Sequence, residues 1–304
     1  MRLLIAGWQG QVAQALIRVA PSRADITACA VGRPALDICE VRTIERALSD
    51  INPDIVINTA AYTDVDKAET ESERAMALNC EGARLLAASA AARGIPILHL
   101  STDYVFGGTS KKPYVETDAT APATAYGRSK LAGEDAVRAA NPKHIILRTA
   151  WVYSEFGRNF VKTILTAARE GKPLRVVADQ YGNPTYAPHL VDAMLTIAAR
   201  VIRAAPSDTA LWGTYHAAGS GRASWYDVAR AALQNASDPR IRATDVEPIP
   251  SSAYPTKTPR PAHSELDCSK LANTFGIRLP DWSHGLETCV ERLAVAAPGQ
   301  ELKH

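Results

Sequence analysis

Short apolar runs alternate with longer amphipathic stretches from the first residue to about residue 150. Arg2 to Ala6 reads as a buried strand, and after the turn GWQGQVA the apolar positions of Val12 to Ala20 recur at helical spacing. A second strand over Ile26 to Val31 ends in Gly32-Arg33, a helix spans Val41 to Ser49, and a third strand runs from Asp54 to Asn58. The alanine-rich stretch Glu73 to Arg93 is an amphipathic helix stopped by Gly94, ahead of a strand over Pro96 to Leu100. YGRSKLAGEDAVRAA keeps helical spacing until Asn141-Pro142, and His144 to Arg148 is another strand. Such alternation requires a parallel sheet with helices on both faces, because right-handed crossovers put them there.

Beyond residue 150 the texture changes. Asn159 to Glu170 reads as a helix, Leu174 to Val177 as a short strand, and DQYGNPTYAPHL as a loop before a helix to Arg200. LWGTYHAAG reads as a strand returning to the sheet, and SWYDVARAAL as a helix. A proline-rich, extended and rigid path follows from Pro248 to Pro261, with a last helix within Gly285 to Ala296. The expected architecture is α/β: a Rossmann-type doubly wound parallel sheet and a smaller C-terminal α/β domain. Residues 1–150 would bind a dinucleotide, with later segments returning to their sheet. Residues 151–304 would mainly hold the substrate.

Chemistry enters at three places. Gly7 and Gly10 stand between the first strand and helix, where they let the backbone turn sharply and approach a pyrophosphate that the helix N-terminus favours. Glycines also turn chains for structural reasons alone, so the loop needs its neighbours to mean more. Arg33, at the end of the second strand, suits a 2′-phosphate where an acid would suit NAD, although a solvated loop arginine reads as easily. Asp37-Ile38 comes next, where it would border an adenine. Ser101 and Thr102 follow an apolar run at a strand's carboxyl end, the usual place for ligands, and their hydroxyls would reach a carbonyl oxygen.

Tyr126 and Lys130 are four apart and so share one helix face. There an ammonium favours the phenolate, while burial alone would act oppositely. Bringing a phenol from about 10 to neutrality needs about 4 kcal/mol at roughly 1.4 kcal/mol per unit, which a close cation in a partly desolvated site supplies. A surface tyrosine beside a solvated lysine shows the same spacing. The order of parts distinguishes the two: nucleotide turn, strand-end hydroxyls, then tyrosine and lysine on the next helix.

Composition narrows the class. Of 304 residues, 46% are hydrophobic and 22% charged, as in an ordinary globular enzyme, and a net charge of +2 without a basic block asks for neither nucleic acid nor a membrane surface. Cys29, Cys39, Cys80, Cys268 and Cys289 form no Cys-x-x-Cys pair, so neither a disulfide framework nor a zinc site is expected, and a reducing cytoplasm fits. MRLLIAG is too short for a signal peptide, so Met1 reads as the true start. No internal repeat or low-complexity segment is found.

With these motifs assembled, the chain resembles the dTDP-4-dehydrorhamnose reductase family of extended short-chain dehydrogenases/reductases over nearly its whole length. The marks are GWQGQVA, NTAAYTDVDKAE, HLSTDYVFGG, AYGRSKLAGE, LRTAWVY, DQYGNPT and AYPTKTPRPAHSELD, with Asp281-Trp282. The resemblance implies reduction of a 4-keto sugar nucleotide, a dTDP-sugar, by NADPH, with NADH as the alternative donor. It implies catalytic roles for Thr102, Tyr126 and Lys130. It also implies that Asp103 and Tyr104 adjoin the reacting sugar, that Trp151 lines its pocket, and that Tyr126 and Lys130 touch the cofactor too. Gly10, Gln11 and Val12 would hold the pyrophosphate, Asp37 and Ile38 the adenine end, and Ala61, Tyr62 and Thr63 the middle of the cofactor. Arg260 is expected to face the substrate from the closing domain, although solvation explains it equally.

Ala13 stands where many relatives carry glycine. The acid that some members place in the first helix, to dimerise around Mg²⁺, is missing from Val12 to Ala20. No metal is therefore expected, and a homodimer stays open. Two other readings compete: an epimerase or dehydratase on the same scaffold, and a non-catalytic NADP-binding regulatory subunit.

Overall fold

A computed structural model describes residues 1–205, 207–242 and 246–295 of the chain. The first half runs β1 (Arg2–Ala6), α1 (Gln11–Val19), β2 (Thr27–Val31), α2 (Val41–Ile51), β3 (Ile55–Asn58), α3 (Val65–Ala68), α4 (Ser72–Met76), α5 (Ala83–Ala91), β4 (Ile97–Thr102), α6 (Ala125–Ala140) and β5 (His144–Thr149). Then follow β6 (Val152–Tyr153), α7 (Phe160–Arg169), β7 (Leu174–Val177), β8 (Tyr181–Gly182), β9 (Thr185–Tyr186), α8 (Ala187–Arg203), β10 (Gly213–His216), β11 (Ala223–Ser224), α9 (Trp225–Gln234), β12 (Val246–Ile249), α10 (Ser269–Phe275) and α11 (Trp282–Val295).

Successive residues of β1 point to opposite faces, and both faces are dry. Leu3 and Ile5 pack with Leu16 of α1 and with Leu190, Val191 and Met194 of α8, while Leu4 and Ala6 pack with Ile44 and Leu48 of α2 and Leu86 of α5. That two-sided burial selects the parallel sheet the apolar runs predict. Its order is β10-β5-β4-β3-β1-β2, parallel throughout. The chain's direction of travel reverses between β1 and β3, and a crevice opens there at the carboxyl ends of the strands. A second core lies around α7, α9 and α11, where Val161, Leu165, Val228, Ala232, Leu286 and Val290 meet.

Several boundaries differ from the sequence reading. The helix expected over Glu73 to Arg93 is α4 and α5 joined by a π-helical segment, Ala77–Gly82. The wider turn carries Asn79, whose side chain is bonded to backbone and side-chain groups outside the helix, and periodicity does not register this. DQYGNPT is not simply a loop, because it contains β8 and the start of β9. The proline-rich path begins inside β12, which is paired in parallel with β7 in a two-stranded ladder whose open edge admits Pro248. The last helix begins at Trp282, and Ala296, with the remainder to residue 304, lies outside the described residues.

Candidate active site

The crevice begins at the turn after β1. Gly7 has φ +98°, and a methyl there would stand 2.9 Å from Thr59 Oγ1, so both backbone and space demand glycine. Gly10 caps α1 in ordinary extended backbone, and nothing lies within 4 Å of where its Cβ would be. Protein atoms alone would tolerate a side chain at Gly10; glycine there leaves clearance beside the unpaired N–H groups of the first turn, and a pyrophosphate fits it. Gln11 offers only its backbone. Its amide Nε2 donates to Val152 O (3.2 Å), and its Oε1 accepts from Ser154 Oγ (2.8 Å) and Asn159 Nδ2 (2.9 Å). Val12 lines the same cavity, and Ala13 is fully buried in the core, close-packed without being glycine.

A second hollow of about 410 Å³ continues from this one through the shared residues Ala61 and Thr63. It is lined by Arg33, Lys67 and Arg74 and equally by Asp37, Asp64 and Glu71, and Lys67 pairs with Asp64 at 3.5 Å, so the cations added to Arg33 come with their own acids. Arg74 leans over the Tyr62 ring at 5.8 Å and pairs with Glu71. Ile38 differs: its side chain is buried in the core beneath Gly82, which leaves only its backbone to meet a ligand.

At the other end, Thr102, Asp103, Tyr104, Tyr126, Lys130 and Trp151 line one cavity of about 540 Å³ that reaches back to Gly10. Thr124 Oγ1 accepts from Gly127 N (2.9 Å) and so starts α6 one residue before Tyr126. A methyl at Gly127 would lie 2.2 Å from Tyr104 O, so glycine lets α6 press against the loop after β4. The Tyr126 hydroxyl stands under the influence of the Thr102 side chain, and the Tyr126 ring meets Tyr104 edge-on at 5.5 Å.

The electrostatics correct one expectation. Burial pushes the Tyr126 phenol up to about 12, the Thr102 hydroxyl offsets this in part, and the charge of Lys130 does not relieve it. The reason is geometric: Lys130 Nζ turns inward, donating to Leu100 O at 2.6 Å and standing 3.4 Å from His99 Nε2. Burial lowers Lys130 itself to about 8. Ser101 is a second correction, because its hydroxyl is committed to Glu134 Oε1 (2.5 Å) and is not free for a carbonyl. Thr102 Oγ1 donates to Asp103 Oδ1 (3.0 Å) and accepts from Tyr104 N (3.2 Å), so meeting a keto oxygen requires its hydroxyl to turn from the carboxylate into the cavity; Asp103 Oδ2 is buried without a partner and burial raises the carboxyl to about 6. Burial also raises the Tyr104 phenol, against the nearby guanidinium of Arg260. Arg260 does not line the cavity. It pairs with Asp66 Oδ2 at 2.7 Å and touches the site through Tyr104.

Supports that, Trp151 apart, the motifs did not single out surround these groups. Asn79 accepts from Tyr62 N (2.7 Å) and donates to Tyr62 O (3.0 Å) and Ser129 Oγ (2.9 Å), tying the loop after β3 to α6. Glu134 receives Arg148 through two bonds of 2.9 and 2.7 Å. Trp151, held at φ +47°, stacks on Trp225 with ring centres 3.6 Å apart, forming an aromatic wall. The one available signal was the alternation of His99 and Ser101 within an otherwise apolar strand.

A doubly wound parallel sheet with a glycine turn at its crossover, and a threonine, a tyrosine and a lysine gathered at the carboxyl end, defines an oxidoreductase of the extended short-chain dehydrogenase/reductase class. Comparison narrows this. The chain belongs to the family described as RmlD substrate binding domain, whose model matches residues 1–295. It is 46% identical over 290 residues to dTDP-4-dehydrorhamnose reductase of Sinorhizobium fredii, covering 95% of this chain and 97% of that one. A Streptomyces antibioticus protein named probable dTDP-4,6-dihydroxy-2-methyloxan-3-one 4-ketoreductase is 39% identical over 290 residues, covering 94% and 93%. The crystal structure of dTDP-4-dehydrorhamnose reductase from Bacillus anthracis in complex with NADP superposes with a TM-score of 0.86 at 32% identity, covering 96% of this chain and 99% of that one. Among the described residues no helix is long and apolar enough to cross a membrane.

Proposed function

We propose that the chain reduces the 4-keto group of dTDP-4-dehydro-L-rhamnose to give dTDP-L-rhamnose, with NADPH as the donor, in nucleotide-sugar biosynthesis. The observation that carries this is the convergence of Thr102, Tyr126 and Lys130 on a cavity continuous with the open helix end at Gly10. When bound, the nicotinamide supplies the hydride. Tyr126 protonates the developing C4 alkoxide, Thr102 holds the keto oxygen, and Lys130 holds the nicotinamide ribose. Gly7, Gly10, Gln11 and Val12 seat the pyrophosphate by backbone. Arg33 favours a 2′-phosphate and hence NADPH over NADH. Asp103, Tyr104 and Trp151 contact the sugar, and Arg260 acts behind Tyr104.

A dehydratase on this scaffold would want a second carboxylate beside Asp103, and that position is Tyr104. The regulatory-subunit reading has no use for an assembled Thr-Tyr-Lys set. The division near residue 150 assigns cofactor to one side of the crevice and substrate to the other, and five free thiols suit a reducing cytoplasm.

The test is to mix purified protein with NADPH and dTDP-4-dehydro-L-rhamnose while following nicotinamide absorbance and identifying the sugar product. Stoichiometric oxidation with dTDP-L-rhamnose formed is expected. Tyr126→Phe should lower turnover by about 10²- to 10⁴-fold and leave cofactor affinity within a few-fold. Cofactor binding without oxidation, beside a working control enzyme, would remove the reading.

A further inference from the structure

Lys130 is 3% exposed, and the surroundings of its amine are set by several elements. Nζ donates to Leu100 O (2.6 Å) and lies 3.4 Å from Nε2 of His99, both on β4. Along α6, Glu134 stands one turn further on, with its oxygens taken by Arg148 of β5 and Ser101. Tyr126 stands one turn back, and Asp103 follows β4 on the same cavity. From β3 the neighbour is uncharged: Asn58 is opposite His99 in the strand register, with its Nδ2 3.0 Å from His99 Nδ1.

Hydrogen-bond direction along this chain is determined from its far end. Asn58 Oδ1 accepts from the Ala60 backbone N–H (3.1 Å), so Nδ2 is left to donate and His99 Nδ1 must accept. The imidazole is neutral, because burial and the charge of Lys130 hold its pKa well below the ordinary value. A neutral ring that accepts at Nδ1 carries its proton on Nε2. That proton points at Nζ, where an amine can accept it and an ammonium, having donors only, cannot.

We propose that Asn58 and His99 are positioning residues for Lys130: by locking the imidazole as the Nε2–H tautomer they favour the neutral amine and make the ammonium a readier proton donor. The consequence for turnover rests on the reductase reading, in which each cycle leaves Tyr126 as a phenolate that needs one proton. The tautomer itself does not depend on that reading.

Two measurements separate these. In protein labelled with ¹⁵N-histidine, without cofactor or substrate, imidazole ¹⁵N shifts should assign His99 as Nε2–H across neutral pH, and Asn58→Ala should release that preference. An Nδ1–H signal or an imidazolium in the unsubstituted protein overturns the proposal whatever the enzyme reduces. In turnover, the alkaline limb of the kcat profile should fall near 8 and move upward by about one pH unit in Asn58→Ala and His99→Phe, the size of one lost hydrogen bond. Rates lowered evenly at all pH values, with the limb unmoved, would show a merely structural role and overturn it.

Discussion

Asp103 shows how strongly surroundings act on one carboxyl. Its neighbours offer hydroxyls and backbone N–H groups, yet burial wins and raises it from 3.8 to about 6. Between those values the folded chain holds a proton that the unfolded chain has lost, so this group's contribution to stability falls as pH rises through the window. Above it, the carboxylate stays buried at a cost of about 3 kcal/mol, at roughly 1.4 kcal/mol per unit. Asp103→Asn should therefore raise the unfolding free energy at pH 7 by about 2 kcal/mol in urea titrations, show no gain at pH 4, and lower turnover. Equal stability at pH 7 would mean that the carboxylate is not held at a cost. The resemblance placed Asp103 beside Thr102, Tyr126 and Lys130, and the spacing placed Tyr126 four residues from Lys130. Neither could show solvent, and solvent decides the sign at both positions: burial lifts Tyr126 to about 12 where a nearby ammonium alone would lower it.

The helix α6 was legible from its spacing, but its buried face was not. Hydropathy arguments send charge outward, whereas Lys130 and Glu134 lie on the inner face with Ser129, between Gly127 and Val137. Glu134 makes this arrangement workable by joining Ser101 of β4 and Arg148 of β5 to the helix. Replacing it should leave Arg148, 3% exposed and already short of a partner at Nη1, as an uncompensated buried cation. Glu134→Gln is expected to cost about 3–5 kcal/mol of stability in denaturant unfolding, and Glu134→Met combined with Arg148→Met much less. Equal losses in the single and double variants would show that packing, not charge, is at stake. The strands β1, β3, β4 and β5 fell within a few residues of their apolar runs because both faces are buried, and the edge strand β2, only half-buried, kept its run through pairing with β1 alone. Elements held by tertiary partners, such as the π-helical segment at Asn79 and the short strands β8 and β9, had no periodicity to reveal them.

Across the crevice, Gln11 links two parts of the molecule that sequence separates by more than a hundred residues. As the first residue of α1 it belongs to the helix end suited to pyrophosphate, while its side chain bonds Val152 O, Ser154 and Asn159. Asn159 in turn caps α7 by accepting from Lys162 N, and α7 packs in the second core with α9, which carries Trp225. Seating an anion at α1 therefore bears on the wall of the cavity where Asn159, Phe160 and Trp225 stand. If this clasp couples the two ends, NADPH should tighten binding of dTDP by about fivefold or more, and dTDP should tighten NADPH by the same factor, since coupling is reciprocal. Gln11→Ala should bring both factors close to one, by calorimetry on each binary and ternary combination, while each ligand still binds. Coupling undiminished in Gln11→Ala would mean that the two sides communicate elsewhere, the Arg260–Asp66 pair between the C-terminal segment and α3 being one such tie among several.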